Sequence, residues 1–306
     1  MGMKGLLLGL LFTILYASGA IAMKFGLQSA PPLTLATLRF VIAGIILLTY
    51  LYVFQKGKYA VPNKRELWIL FWLGLLNTSL FLGLGLIALQ TVSSGIFNLF
   101  VPANALLFAL LAFMFLGQTI RLKEWGGMII SFIGLFIASY PSLVGSHATF
   151  GGILLLFCAI ISMALGSLIF KKTKISLPPL VINTWQVVFG GLILIIPSII
   201  LESGQSITVD LHLIGYLLWS VFALSIFNLS LWFYLLKKDA IIANNWLLLN
   251  PVAGYLLAAP LLGEPITKFA VIGTVFVLFG LYMSGNFRIK SPVEMVSSVK
   301  EVRHNT

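Results

Sequence analysis

Charge is what this chain has least of: 9% of its 306 residues are Asp, Glu, Lys or Arg, with 8 acids against 19 bases. Soluble domains carry about 25% charged residues, so this composition cannot coat a water-exposed globule. A single soluble domain is excluded. Cysteine is nearly absent: the one thiol, Cys158, lies within an apolar run, which excludes an intramolecular disulfide and a cysteine metal site. The three histidines, His147, His212 and His304, fall outside the apolar runs. There is no Gly-rich loop ending in Lys-Ser/Thr, no His-Glu-x-x-His and no Cys/His ligand spacing, so no metal, no cofactor and no ATP-driven step is expected. Acids are also missing from the middle of every apolar run. Glu66, Glu124, Glu202, Asp210, Asp239 and Glu264 all sit at run ends or in connections.

What is abundant is apolar surface, at 60% of residues, with a mean hydropathy of +1.07. Crossing the roughly 30 Å hydrocarbon core takes about 20 apolar residues as helix. Ten such runs occur, at 5–23, 33–54, 67–89, 93–116, 123–141, 151–170, 178–201, 213–236, 240–262 and 268–286. They are continuous, whereas a β-barrel would show ten-residue alternating segments. The expected fold is therefore an all-α integral membrane protein with ten transmembrane helices. The first run, followed by no small-residue cleavage site and polar region, reads as a retained helix. The net charge of +11 is scattered in short clusters between runs and not gathered on one face, so no nucleic-acid partner is expected.

Those clusters orient the chain, because cytoplasmic connections carry the excess of Lys and Arg. With the N-terminus inside, the inner connections and tail hold 16 of the 19 bases; only Lys24 and Lys268 fall outside, and Arg39 within a run. Both termini are expected in the cytoplasm, with 291–306 as a short polar tail there. Trp68, Trp72 and Trp125, near inner ends, fit an interfacial belt.

The sequence also repeats. Residues 19–47, GAIAMKFGLQSAPPLTLATLRFVIAGIIL, lie over 166–194, GSLIFKKTKISLPPLVINTWQVVFGGLIL, at a constant shift of 147. Gly19 meets Gly166, Pro31-Pro32-Leu33 meets Pro178-Pro179-Leu180, and Gly44 meets Gly191. At a shift of 146, Asn98 meets Asn244, Gly127 meets Gly273 and Gly134 meets Gly280. Two five-helix halves, 1–145 and 146–290, are expected. Five is odd, so the second half enters the membrane from the opposite side. The basic residues agree: the connection between runs 1 and 2 has one Lys and its counterpart three, while that between runs 2 and 3 has four bases and its counterpart none. Repeats inverted in this way are characteristic of secondary transporters with a midplane site.

Ten runs in two halves, the stretch SGAIAMKFGLQSAPPLTLATLRF, and Leu-Gly-Glu-Pro at 262–265 after Asn250-Pro251 resemble the EamA-type transporters of the drug/metabolite transporter superfamily, over residues 4–287. The resemblance implies export or facilitated passage of small metabolites, often amino acids or drug-like molecules, across a bacterial cytoplasmic membrane. The first half departs from the pattern, with Gln118 opposite Glu264 and Ala105 opposite Pro251. Lipid bilayer and small-molecule substrate are the expected partners. No soluble protein partner is expected, and a homodimer is compatible with the sequence.

Polar groups within the bilayer are costly, so each is a candidate site. Asn77, Asn98, Asn228, Asn244, Asn245 and Asn250 fall in runs 3, 4, 8 and 9. In run 4, Ser94, Asn98, Pro102 and Ala105 share one helix face, and Ala240, Asn244, Leu248 and Pro251 do the same in run 9. Matching polar faces suit a central cavity; hydrogen bonding to neighbouring helices is the plainer alternative. Tyr16, Phe97, Trp185 and Trp246 could stack on a planar substrate or simply pack. Arg39 could hold a carboxylate through its guanidinium fork, or snorkel to the surface; its repeat partner is Gln186. An alternating-access carrier is the leading expectation. Its rivals are a proton-coupled antiporter using Glu264, a channel or receptor, and a membrane-embedded lipid enzyme.

Overall fold

The computed structural model describes residues 3–88, 91–92, 94–144, 149–262 and 266–284. Among these the chain is helical throughout, with no strand. In chain order the helices are α1 (Met3–Gly26), α2 (Pro32–Phe54), α3 (Lys64–Ala88), α4 (Ser94–Leu116), α5 (Leu122–Val144), α6 (Phe150–Thr173), α7 (Pro179–Leu201), α8 (Leu211–Lys238), α9 (Ala240–Leu261) and α10 (Lys268–Met283). Seven of them, α1, α2, α3, α6, α7, α8 and α9, are by themselves long and apolar enough to cross a bilayer, and their limits lie within a few residues of the sequence boundaries. α10 is shorter, at 16 residues.

In a hydrocarbon solvent the first N–H groups of each helix need internal acceptors, and the sequence supplies them. Asn63 and Glu66 form a reciprocal capping box on α3. Thr149, Asp210, Asp239 and Thr267 cap α6, α8, α9 and α10. α2 begins at a proline that cannot cap it, and the acceptor comes instead from α7. Glu202 receives Leu33 N and Thr34 N at 2.7 Å each, and the Thr34 hydroxyl at 2.7 Å.

Two helix pairs hold the halves of the sequence together, and their contacts are reciprocal. In the antiparallel α2·α7 pair, Gly44 meets Val188 and Gly191 meets Phe40 and Val41; adding 147 to 44 and 41 gives 191 and 188. In α5·α10, a Cβ on Gly127 would strike the Gly280 carbonyl, and one on Gly134 would lie 2.6 Å from Gly273 O. Adding 146 to 127 and 134 gives 273 and 280, so the two contacts exchange under the repeat. Ser131 donates to Val277 O between them at 3.2 Å. Only glycine permits backbones this close. Around these pairs, α3 packs on α6 and α7, α8 on α1 and α2, and α4 on α5, α6 and α9. The largest apolar cluster, with Phe12, Phe108, Phe233 and Trp246 wholly buried, lies between α1, α4, α6, α8 and α9.

Periodicity did not foresee the local departures from α geometry. α3 is π-helical over Gly74–Leu80, α8 over Trp219–Asn228, and α9 tightens to 3₁₀ over Trp246–Leu249. The last has a covalent cause: Pro251 has no N–H for the carbonyl of Leu247 and its ring crowds that carbonyl. π segments are frequent at functional sites; here one ends α2 over Tyr50–Phe54 and the other two carry Asn77 and Asn228.

Candidate functional site

Polar side chains gather at three places inside the bundle. Between α4 and α9, Asn104 Nδ2 donates to Asn244 Oδ1 at 2.6 Å, and Asn244 Nδ2 donates to Ala240 O at 2.8 Å. Neither asparagine has any exposed surface. The sequence expectation paired Asn244 with Asn98. Asn98 lies on α4, but its side chain falls outside what the structure describes, as do those of Ser94 and Phe97; Glu264 and the tail beyond 284 lie outside the described residues altogether. Asn104, which the sequence reading missed, was detectable: at the 146 shift it lies over Asn250. The oxygens Asn104 Oδ1 and Asn250 Oδ1 are buried without a hydrogen-bond partner. Asn245 is buried beside them.

The second cluster lies between α1, α2, α7 and α8. Arg39 Nε, from α2, donates at 2.7 Å to Ser225 Oγ, which lies within the π segment of α8. Tyr216 and Tyr16 are electrostatic neighbours of the guanidinium, and the Phe40 ring lies 4.8 Å from Cζ. Asn183 Nδ2 donates to Ser225 O at 2.7 Å, Ser230 Oγ at 3.0 Å and Ile226 O at 3.3 Å, so its orientation is fixed. Its Oδ1 is buried and unpartnered, as is that of Asn228.

The third cluster occupies the repeat-related helices. Gln186, at the position of Arg39 in the other half, accepts from Asn77 Nδ2 at 3.2 Å, and Asn77 sits against Gly166 of α6. Asn77 is likewise on a π segment. One cluster is charged, its counterpart neutral.

The aromatic candidates divide. Trp246 is wholly buried, its indole against Gly9 of α1, and Thr13 donates to its carbonyl at 3.3 Å. It joins α9 to α1. Tyr16 is half-buried against Phe12, whose ring stacks on Trp232 at 5.2 Å. Trp185 donates to the Tyr52 hydroxyl at 3.0 Å and continues through Phe189 to Phe71, away from the other candidates. Trp68 and Trp72 are exposed, as an interfacial position requires.

The two ends of the bundle are held differently. At one end Glu202 binds the start of α2, Thr208 N donates to Ser29 O at 2.7 Å, and Ser29 Oγ donates to Asp210 at 2.6 Å. The Ser29 hydroxyl and the Leu213 N–H hold the Asp210 carboxyl down at about 2. These loops border a hollow of about 560 Å³. At the other end Lys237 donates to the carbonyls of Ser176 and Leu177. Among the described residues no group of three His, Cys, Asp or Glu side chains could hold a metal ion.

A bundle of apolar helices with neutral amides buried at helix discontinuities defines a multi-pass membrane protein of the transporter class. The chain belongs to the EamA-like transporter family, which matches residues 3–140 and 150–285. It is 30% identical to a probable amino-acid metabolite efflux pump of Salmonella typhimurium, over 95% of this chain and 98% of that one. It is 30% identical to an uncharacterized inner membrane transporter of Escherichia coli, over 94% and 95% of the two chains, and 28% identical to an uncharacterized transporter of Archaeoglobus fulgidus, over 86% and 91%. A solved crystal structure shares the fold, with a TM-score of 0.78 at 15% identity over 93% of this chain and 97% of that one.

Proposed function

We propose that this EamA-family membrane transporter moves small metabolites of the amino-acid kind across the cytoplasmic membrane by alternating access. In this reading all ten helices cross, residues 1–145 and 146–290 form two inverted halves, and both termini and the tail 291–306 are cytoplasmic. The end closed by Glu202 then faces outward and the end closed by Lys237 inward. The observation that carries the reading is the Asn104–Asn244 bond between α4 and α9, one helix from each half, buried where α9 leaves α geometry. Broken helices at a repeat interface are where transporters bind substrate. The reciprocal contacts of α2·α7 and α5·α10 support halves that exchange roles about one axis, and the name of the Salmonella relative supports the substrate class.

Purified protein in liposomes loaded with unlabelled amino acids, without any ion gradient, tests it. Labelled amino acid should accumulate transiently by counterflow, and Asn104→Ala or Asn244→Ala should reduce the exchange. Flux that appears only under an imposed proton gradient would overturn uncoupled carriage and move attention to Glu264. Flux that never saturates would mean a channel.

A further inference from the structure

Arg39 presents a problem that neutral packing does not solve. It lies seven residues into α2, about 10 Å along the helix axis from Pro32, and its contacts are all neutral: Ser225, Tyr216, Tyr16 and the Phe40 ring. No acid among the described residues pairs with it. The two acids at the nearer end, Glu202 and Asp210, are committed to the start of α2 and to Ser29 with Leu213. A guanidinium carries five donors in a planar fork that fits a carboxylate bidentately. An isolated charge in such surroundings is retained where something of opposite charge visits.

The other half of the molecule shows what the fold itself needs. At Gln186 an amide fills the repeat-related position and bonds to Asn77 on the π segment of α3. A neutral side chain thus suffices to join these helices, and the positive charge at Arg39 is additional to the packing. On the helices that meet at Ser225, to which Arg39 bonds, are two acceptors without donors. Asn183 Nδ2 is committed to Ser225, Ile226 and Ser230, which leaves its buried Oδ1 facing no partner, and Asn228 Oδ1 is in the same state. Donors on a fixed cation together with idle amide oxygens, that of Asn228 on the π segment and that of Asn183 on α7 where its amide bonds to the segment, complement a zwitterion: carboxylate at Arg39, ammonium at the asparagine oxygens.

We propose that Arg39 is the carboxylate-binding residue of the transported substrate, which places that substrate among small zwitterionic acids, with Asn183 and Asn228 receiving the ammonium group. The proposal rests on the transport reading above and sharpens it from small metabolites to free carboxylates.

The test compares each amino acid with its amide and its amino alcohol, which keep the side chain and lose the anion. In counterflow assays the wild-type protein should prefer the acid, and Arg39→Gln, which copies the residue found at 186, should lower the acid-to-amide flux ratio by about 10- to 100-fold. Arg65→Gln, at the exposed start of α3, should keep the wild-type ratio. Equal wild-type flux of acid and amide overturns the proposal, as does an unchanged ratio in Arg39→Gln protein that remains monodisperse. Dependence of the ratio on anionic lipid, instead of on the substrate's carboxylate, assigns Arg39 to a lipid headgroup and overturns it too. If the wild type carries nothing, the transport reading falls alone and ligand-induced thermal shifts in detergent decide this one. Stabilisation by acids but not amides, abolished in Arg39→Gln, sustains it; equal shifts or none overturn it.

Discussion

Replacing Glu202 should loosen one end of the bundle by a calculable amount. The residue is 6% exposed, and its carboxylate accepts from Leu33 N, Thr34 N and Thr34 Oγ1. Pro31 has no side-chain acceptor to offer in its place, and the Leu33 residue is 2% exposed, so water is a poor substitute. Orphaning a buried N–H costs about 1–3 kcal/mol, and the carboxylate also complements the positive end of α2 by about 0.3–1 kcal/mol. Glu202→Ala should therefore destabilise the protein by about 2–5 kcal/mol, and Glu202→Gln, which retains one acceptor oxygen, by about half as much. At roughly 2–4 °C per kcal/mol for a chain of this order of size, the alanine variant should melt about 5–15 °C lower in detergent. Thermal unfolding followed by intrinsic fluorescence at one fixed scan rate reads this directly. An unchanged melting temperature for Glu202→Ala would refute the cross-helix cap.

Gly134→Ala should cost about 1–3 kcal/mol, because the added Cβ meets the backbone of α10 and neither helix can yield locally; wild-type stability would show that α5 and α10 do not approach this closely. Trp246→Ala should lose about 3–5 kcal/mol by opening a cavity between α9 and α1, measured by the same melts and refuted by a loss near zero. The Asp210 carboxyl sits below its ordinary value, so its contribution is complete above about 3.8 and disappears as pH falls through about 2. Melting curves between pH 5 and 2 should accordingly show a steeper acid loss for wild type than for Asp210→Asn, and superimposable curves would refute the Ser29 contact. In a double-mutant cycle, Asn104→Ala and Asn244→Ala should be coupled by about 0.5–1.5 kcal/mol in stability; strict additivity would place the two amides apart.

Much of this architecture was legible because lipid imposes a simple rule: every crossing must be a helix of near-continuous apolar residues. The runs around Phe150–Thr173 and Pro179–Leu201 were found almost to the residue for that reason. The repeat was legible through glycines and prolines, the residues whose backbone roles survive when side chains drift, and Gly44, Gly191, Gly127 and Gly280 are all at helix contacts. Register across the α4·α9 interface was not legible, since the repeat matches positions between the halves without saying which of them touch, and the Asn104–Asn244 contact comes only from tertiary placement. The π segments left no trace in hydropathy, because a bulge shifts the face of a helix without changing its composition. Trp246 shows the limit of residue type as a guide: it shares a helix with Asn244 and Asn245 yet its ring fills a gap against Gly9. Glu202 was read as a charge beyond the membrane, and only tertiary placement reveals it as the cap of another helix.

Alternating access at the α4·α9 interface is tested most directly by thiol labelling from each side of the membrane. The protein has one cysteine, so Cys158→Ser gives a clean background, and Ala105→Cys then places a thiol beside Asn104 at a position 1% exposed. In oriented vesicles the account predicts slow labelling by a small impermeant reagent from either side, with transported substrate shifting the balance between them. Labelling from one side only, unaffected by any substrate that the protein carries, would contradict it.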